Sequence, residues 1–293
     1  MVLTLGLVWG GTFLFQDLAL RSTPPFWVAA ARIGFAALLV YVVWQLRGGR
    51  MFTTNQTDWP RLFVLSVMSP TMPFLLLSWG QQYVTSAFAG ISMATTSLFV
   101  LPMAHVLVPG ERMTWRRTAG LAMGFAGVLL LVGPGVFSQS GDPMENAGRF
   151  ACLAAAFCYA TSSIMTRRLP PISPLGLAFS TFAVGAMLAF PLAWMVHGAP
   201  TDPGPTGFVI LALLGLVPTA AANLLRIVTI RSAGPVFMSL TGYLVPLFAV
   251  LLGVVFLSDP VTGGLLGGLA LILSGVGLSQ YGALRQLFLR MRR

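Results

Sequence analysis

The sequence predicts an all-α integral membrane protein, with ten transmembrane helices arranged as two inverted five-helix repeats around a central cavity. Three observations support this fold class. Hydrophobic residues make up 56% of the 293 positions and charged residues only 8%. Arginine clusters, prolines and glycines divide the chain into apolar segments of membrane-spanning length. Residues 62–132 also align with residues 210–280 without a gap, which indicates an internal repeat.

The composition makes the lipid bilayer the main solvent of the chain. A mean hydropathy of +0.85 implies more apolar surface than a soluble core can bury, and long apolar runs of this kind span membranes as helices. The net charge is +10, and all 17 basic residues are arginines. They lie in short clusters between apolar runs, a pattern typical of membrane topology, so we expect no nucleic-acid partner.

Ten apolar spans lie between these clusters, each close to the roughly 20 residues that a helix needs to cross the hydrocarbon layer. The predicted spans are Val2–Leu20, Phe26–Leu46, Leu62–Gln81, Ser86–Val108, Thr118–Val136, Phe150–Met165, Pro174–Val196, Thr206–Thr229, Gly234–Leu257 and Val261–Ala283. The first span lacks the basic leader and cleavage site of a signal peptide, so we interpret it as a retained helix. The predicted division is a first five-helix repeat (1–136), an external linker (137–149), a second, inverted repeat (150–283) and a basic cytoplasmic tail (284–293).

The distribution of arginines predicts the orientation. If the N-terminus is cytoplasmic, 13 loop and tail arginines lie inside and only Arg21 and Arg149 lie outside, leaving out Arg32 and Arg226 within predicted spans. Cytoplasmic loops carry the excess of positive charge in membrane proteins. Both termini are therefore expected in the cytoplasm.

The internal repeat is the strongest evidence for inversion. A shift of 148 residues aligns 62–132 with 210–280 without a gap. Since each half has five spans, an odd number, the second half must cross the membrane in the opposite direction. The alignment pairs Pro70 with Pro218, Glu111 with Asp259, Gly120 with Gly268 and Gly127 with Gly275.

The charges of the two copies differ as inversion requires. Arg112, Arg116 and Arg117 follow Glu111, whereas no arginine occupies the equivalent positions after Asp259. A cytoplasmic copy retains positive charge and an external copy loses it.

Polar and aromatic side chains form rows on five of the predicted spans, and these rows are the candidate lining of a cavity that binds a small-molecule substrate. A polar group in a membrane is costly without a partner, so such rows indicate a solute path. Close helix packing is the alternative role for these hydroxyls and rings. The candidates are Trp9, Thr12, Phe13 and Gln16 on one face of the first span; Ser78 and Trp79 in the third, with Tyr83 just beyond it; Thr95 and Phe99 in the fourth; Tyr159 and Ser163 in the sixth; and Tyr243 in the ninth.

Prolines inside spans predict kinks at which helices can bend, with static kinks that aid packing as the alternative. Two acidic residues, repeat equivalents at opposite surfaces, are interpreted as gate latches or helix caps. The candidate hinges are Pro70, Pro102, Pro218 and Pro246, and the candidate latches are Glu111 and Asp259.

Few ionisable residues lie inside the predicted spans, so proton coupling is not strongly indicated. Asp17 and Arg32 both lie toward the outer side, where we expect them to pair. Arg226 lies about a turn from the inner end, and we expect its side chain to reach the surface. Structural roles are expected for all three.

The order of motifs resembles the ten-helix EamA family of the drug/metabolite transporter superfamily, over essentially the whole chain. The resemblance rests on Trp9-Gly10 with Phe13, Pro24-Pro25 followed by Arg32, the Glu111 turn followed by Gly120 and Gly127, and Asp259-Pro260 before a glycine-rich tenth helix. It implies a bacterial inner-membrane exporter with a cavity between helices one, three, four, six, eight and nine. Within the family the chain is most similar to YddG-type exporters, which favour aromatic amino acids.

The function predicted in this way is export of small metabolites, above all aromatic or other hydrophobic amino acids and related amphipathic compounds, by alternating access. The alternatives are a transporter of purine or nucleotide-sugar specificity, a channel, and an intramembrane enzyme. His105 and His197 are the two histidines of the chain, and the sequence contains no metal-spaced cluster or phosphate-binding loop with lysine, so we do not expect an enzyme. We expect no cofactor and no metal. The lipid bilayer and a small-molecule substrate are the expected partners of a chain that can act as a monomer.

Overall fold

The computed structural model describes residues 1–49, 58–132, 141–248, 263–279 and 281. Within them the chain forms ten helices, numbered here in chain order. They are α1 (Val2–Leu20), α2 (Pro25–Leu46), α3 (Trp59–Gly80), α4 (Phe88–Leu107), α5 (Trp115–Val132), α6 (Glu145–Arg168), α7 (Pro174–His197), α8 (Gly204–Ala233), α9 (Pro235–Phe248) and α10 (Gly263–Ser279). Each overlaps one predicted span, so the all-α fold class is confirmed.

Local sequence rules explain where several helices begin. Proline occupies the first position of α2, α7 and α9, where its missing N–H is not needed. The Asp58 carboxylate accepts a hydrogen bond from Arg61 N at 3.1 Å before α3, and Ser173 Oγ accepts one from Gly176 N at 2.9 Å before α7. Gly234 has a φ of +91°, which favours glycine, and it separates α8 from α9.

Helix α6 begins at Glu145, five residues before the predicted start at Phe150. Glu145 lies in the first turn, where an acidic side chain is favourable, and pairs with Arg149 at 2.5 Å. The Arg149 guanidinium also lies 5.2 Å from the ring centre of Phe88. The last part of the expected linker 137–149 is therefore helical, and its two charged side chains pair with each other.

The contact between α5 and α10 shows the inversion directly. A Cβ atom added to Gly120 would lie 2.5 Å from Gly275 O, and one added to Gly127 would lie 2.9 Å from Gly268 O. The sequence repeat pairs Gly120 with Gly268 and Gly127 with Gly275. The two helices are thus antiparallel and exchange equivalent glycines across their contact, as a pseudo-twofold axis in the membrane plane requires. Glycine allows the backbones to approach this closely.

Helices α2 and α7 are also antiparallel. Trp27 Nε1, near the start of α2, donates to Gly198 O at 3.2 Å just after the end of α7. At the other end of α2, the ring of Trp44 stacks on Phe179 with centres 4.7 Å apart. Since α2 and α7 are the second helices of their repeats, their opposite directions agree with the inversion.

Helices α3 and α8 each contain a wide, π-helical turn at the same position of the repeat, Val67–Thr71 and Gly215–Ala221. Each turn contains one of the paired prolines. Proline lacks an N–H and clashes with the carbonyl one turn earlier, so the helix widens around it. A threonine hydroxyl then bonds a carbonyl five residues back: Thr71 Oγ1 to Ser66 O at 2.9 Å, and Thr219 Oγ1 to Leu214 O at 2.6 Å.

Candidate functional site

A central cavity lies between the two repeats, and its lining comes from both. The space inside the lining, counted together with its opening to solvent, is about 960 Å³. The wall is mostly apolar, with aromatic rings, hydroxyls, two amides and two guanidinium groups facing inward, as expected of a small-molecule site. The aromatic residues are Trp9, Phe13, Phe74, Tyr159 and Phe182; the polar ones include Thr12, Gln16, Arg32, Ser69, Thr96, Ser163, Thr219, Asn223, Arg226, Ser239 and Thr241.

The first helix supplies the face of the cavity that the sequence predicted. Trp9, Thr12, Phe13 and Gln16 all line it. The indole Nε1 of Trp9 donates to the carbonyl oxygen of Pro218 at 2.9 Å, in the wide turn of α8. This hydrogen bond joins the first repeat to the second across the cavity wall.

Arg32 of α2 forms one polar cluster. Its side chain is 4% exposed. Its guanidinium donates to Gln16 Oε1 and, from both Nε and the second terminal nitrogen, to Thr219 Oγ1 at 3.4 Å. It also lies 4.3 Å from the ring centre of Phe74, in cation–π contact. The first-repeat cation thus rests on the wide turn of the second repeat.

Arg226 of α8 forms a second cluster with hydroxyls of α6, in its own repeat, and of α3, in the first repeat. It is 5% exposed. Its guanidinium donates to Ser162 Oγ at 2.7 Å, Ser163 Oγ at 3.0 Å and Ser69 Oγ at 3.3 Å, the last within the wide turn of α3. Tyr159 lies 5.8 Å away in ring-centre distance. Each repeat therefore places a cation against the wide turn of the other.

Two sequence expectations about these charges are wrong. Asp17 pairs with Arg21 at 3.1 Å on an exposed face of α1, and not with Arg32, which points into the protein toward Gln16. Arg226 does not reach the surface, because the hydroxyls of α3 and α6 hold its guanidinium inside. Both arginines line the cavity.

The profile of the EamA-like transporter family matches residues 1–133 and 146–280, which correspond to the two repeats. The chain belongs to the EamA-like transporter family. The predicted resemblance is thereby confirmed, and with it the two-repeat architecture of an EamA-like membrane transporter.

Three relatives show the range of EamA-like proteins that the chain resembles. An inner membrane transporter named YedA, described as uncharacterized, from Escherichia coli K12 is 27% identical over 84% of this chain and 78% of its own. A transporter of Archaeoglobus fulgidus, also described as uncharacterized, is 27% identical over 83% of each chain. A probable terminal-alkyne amino-acid exporter of Streptantibioticus cattleyicolor is 28% identical over 75% of this chain and 73% of its own.

One solved crystal structure has the same fold. It superposes with a TM-score of 0.81 and covers 97% of this chain and 96% of its own, at 22% sequence identity. At that identity the likeness supports the fold alone.

Several predicted lining residues lie elsewhere in this EamA-like transporter. Ser78, Trp79 and Tyr83 follow the wide turn of α3 and do not line the cavity, whereas Phe74 and Leu77 do. A π-helical turn holds one extra residue and rotates everything after it by about 100° relative to a regular helix. Residue type alone therefore did not identify the face of α3 that lines the cavity after Pro70. Trp79 packs instead against Tyr83, with ring centres 5.1 Å apart.

Thr95, Phe99 and Tyr243 serve packing in the structure. Thr95 lies at a break in α4 and its hydroxyl bonds Ser92 O at 2.6 Å, while Thr96 faces the cavity. Phe99 packs edge-on against Phe157, with ring centres 5.6 Å apart.

Tyr243 is fully buried between α9 and α5. Its hydroxyl donates to Leu121 O at 3.0 Å, and a Cβ atom at Gly124 would lie 3.0 Å from its ring.

Only some of the candidate hinges and latches lie at the cavity. Pro70 and Pro218 lie in the wide turns and line the cavity; Pro102 and Pro246 do not. Glu111, between α4 and α5, pairs with Arg117 at 2.6 Å and lies against Gly234. Its repeat equivalent Asp259 lies outside the described residues.

Five residues that line the cavity were not predicted from the sequence to do so: Arg32, Arg226, Ser69, Thr219 and Asn223. A usable signal was present, since an ionisable residue inside an apolar span marks a functional site more often than a structural one. The predicted Tyr159 and Ser163 do line the cavity beside Arg226.

Proposed function

We propose that the chain exports small amphipathic metabolites, with aromatic or other hydrophobic amino acids as the leading class, by alternating access. The observation that carries this proposal is that one cavity is enclosed by two inverted halves joined across it by breakable polar contacts. Trp9 to Pro218, Arg32 to Thr219 and Arg226 to Ser69 each connect one repeat to the other. Inverted halves around a shared site are typical of carriers that open to each side in turn.

The lining supports an amphipathic substrate. Five aromatic rings form apolar walls, while hydroxyls, amides and guanidinium groups provide specific polar contacts. The printed description of the Streptantibioticus relative as an amino-acid exporter agrees with this class. The positive-inside pattern supports cytoplasmic termini in a bacterial inner membrane, which would make export the movement from the cytoplasmic to the outer opening.

Counterflow in proteoliposomes tests the proposal. Vesicles containing the full chain are loaded with unlabelled phenylalanine, leucine or tryptophan and diluted into a trace of the labelled compound. In a carrier, unlabelled substrate inside the vesicle binds the site and returns it to the outside, where the site then binds labelled substrate. Label therefore accumulates transiently inside the vesicles. Uptake that is the same with and without internal substrate would identify an open channel. Failure of every amino acid, with counterflow of a purine or nucleotide sugar, would replace the substrate class.

A further inference from the structure

The central cavity contains two positive charges and no negative charge among its described lining residues. Arg32 and Arg226 both face it. Four acidic residues elsewhere in the described chain form ion pairs with other arginines: Asp17 with Arg21, Asp58 with Arg61, Glu111 with Arg117, and Glu145 with Arg149. The carboxylates of Asp142 and Asp202 accept hydrogen bonds from the backbone N–H groups of Met144 and Gly204. Within the described part of the chain, the two cavity cations are thus held by neutral groups.

The hydroxyls around these cations act as acceptors. Ser163 Oγ donates its own proton to Tyr159 O at 2.8 Å, and Thr219 Oγ1 donates to Leu214 O at 2.6 Å. Their lone pairs therefore point to the guanidinium groups. This arrangement orients Arg226 and Arg32 without neutralising either charge.

A buried charge without a counter-ion is costly even when it is hydrogen-bonded. Arg226 uses its two terminal nitrogens for all its hydrogen bonds within the described residues, which leaves Nε–H as a donor. A guanidinium N–H donates a strong, charge-assisted hydrogen bond to a carboxylate. A bound carboxylate would supply the missing negative charge.

An ammonium group finds no such partner in the same cavity. The described lining holds no carboxylate. Two of the rings that could attract a cation already face one, since Arg32 lies over Phe74 and Arg226 near Tyr159. A second cation would be repelled by both guanidinium groups.

We propose that Arg226, assisted by Arg32, binds the carboxylate of the substrate, and that the site selects amphipathic organic acids by this group. Amino acids enter through their carboxylate, and their 2-oxo or N-acetyl counterparts, which lack the ammonium, bind at least as tightly. The corresponding amines, which lack the carboxylate, bind more weakly. The inference rests on the proposed function, because it takes this cavity as the transport site.

Ligand-induced thermal stabilisation of the purified full chain in detergent tests this without depending on transport. Three matched series are used: phenylpyruvate, N-acetylphenylalanine, phenylalanine and phenethylamine, and the equivalent indole and isobutyl series. We expect the acids to stabilise at concentrations equal to or below those of the amino acid. We expect the amine to need at least about ten-fold more, the difference of one charge-assisted hydrogen bond.

Arginine variants show which side chain produces the preference for acids over amines. Arg226→Gln is expected to weaken binding of the acids by about ten-fold or more and to remove the preference of acid over amine. Arg32→Gln is expected to act in the same direction but less strongly. Arg231→Gln is the matched control: it lies five residues further along α8, bonds the carbonyls of Ile172 and Pro170, and does not line the cavity.

Four results would overturn the inference: amines that stabilise as well as acids, no stabilisation by any acid in the three series, an unchanged acid preference in Arg226→Gln, or an equal loss in Arg231→Gln. The ligand series on the unmodified protein decides the question even if a variant fails to fold. Counterflow of an amino acid together with equal binding of its amine would keep the proposed function and reject only the carboxylate site.

Discussion

The contact between α5 and α10 and the central cavity obey the inverted repeat to different degrees. In the contact, Gly120 meets Gly275 and Gly127 meets Gly268, so equivalent residues exchange places. In the cavity the wide turns are equivalent, but Arg32 and Arg226 are not repeat partners at the 148-residue shift. Symmetric positions therefore determine how the halves pack, whereas the two cations of the cavity occupy positions that the repeat does not relate.

The largest expected effect is that of a substitution in the contact between α5 and α10. Gly120→Val places its Cβ 2.5 Å from Gly275 O and 2.6 Å from Ser279 N, both backbone atoms that cannot rotate away. We expect a loss of about 3 kcal/mol in the free energy of unfolding, the upper range for overpacking. Gly277→Ala on α10 is the control, because no atom lies within 4 Å of its added Cβ. Melting temperatures of the two purified variants measure the difference; equal values would contradict the close contact.

The wide turns offer a second test, since they are symmetric in structure and differ in the cation that contacts them. Thr219→Val removes the hydroxyl that bonds Leu214 O and accepts from Arg32. We expect a loss of about 2 kcal/mol in stability and reduced counterflow.

Thr71 is the repeat equivalent of Thr219, and Thr71→Val removes only the bond to Ser66 O. We expect about 1 kcal/mol of destabilisation, with counterflow retained. Thermal unfolding and counterflow measured on both variants separate the two roles. Equal loss of transport in the two would mean that the turns act as hinges and that the cation is irrelevant.

The smallest expected effect is that of a substitution at Tyr243. This residue was predicted to line the cavity, and the structure places it outside the lining. Tyr243→Phe keeps the ring against Gly124 and removes the hydrogen bond to Leu121 O. We expect a loss of about 1 kcal/mol in stability and unchanged substrate affinity. A shift in the concentration for half-maximal counterflow, with no change in melting temperature, would return Tyr243 to the substrate site.

The sequence was sufficient for the fold because the bilayer imposes simple rules. Span length, arginine clusters and the 148-residue register led to all ten helices and to the inversion. The cavity face of α1 was also predictable, because the spacing of Trp9, Thr12, Phe13 and Gln16 stays helical through Gly11. Only ordinary helical geometry was needed there.

The remaining errors have physical causes. The candidates after Pro70 were misplaced because they were chosen as polar and aromatic residues, and residue type does not show which face a helix turns to the cavity after a π-helical turn. Arg32 and Arg226 were assigned structural roles because a sequence shows depth in the membrane but not which neighbours a side chain meets. Their hydroxyl partners, such as Ser69 and Ser162, lie on distant helices that only the tertiary structure brings together.

Thiol labelling tests most directly whether the cavity is the alternating site. In a Cys152→Ala, Cys158→Ala background, Thr12→Cys places a thiol in the cavity wall, and Ser97→Cys places one at a fully buried position of α4 outside it. Membrane-impermeant maleimide is applied to one side of oriented vesicles at a time. We expect Thr12→Cys to be labelled from either side and Ser97→Cys from neither. Labelling of Thr12→Cys from one side alone, in a variant that still shows counterflow, would contradict it.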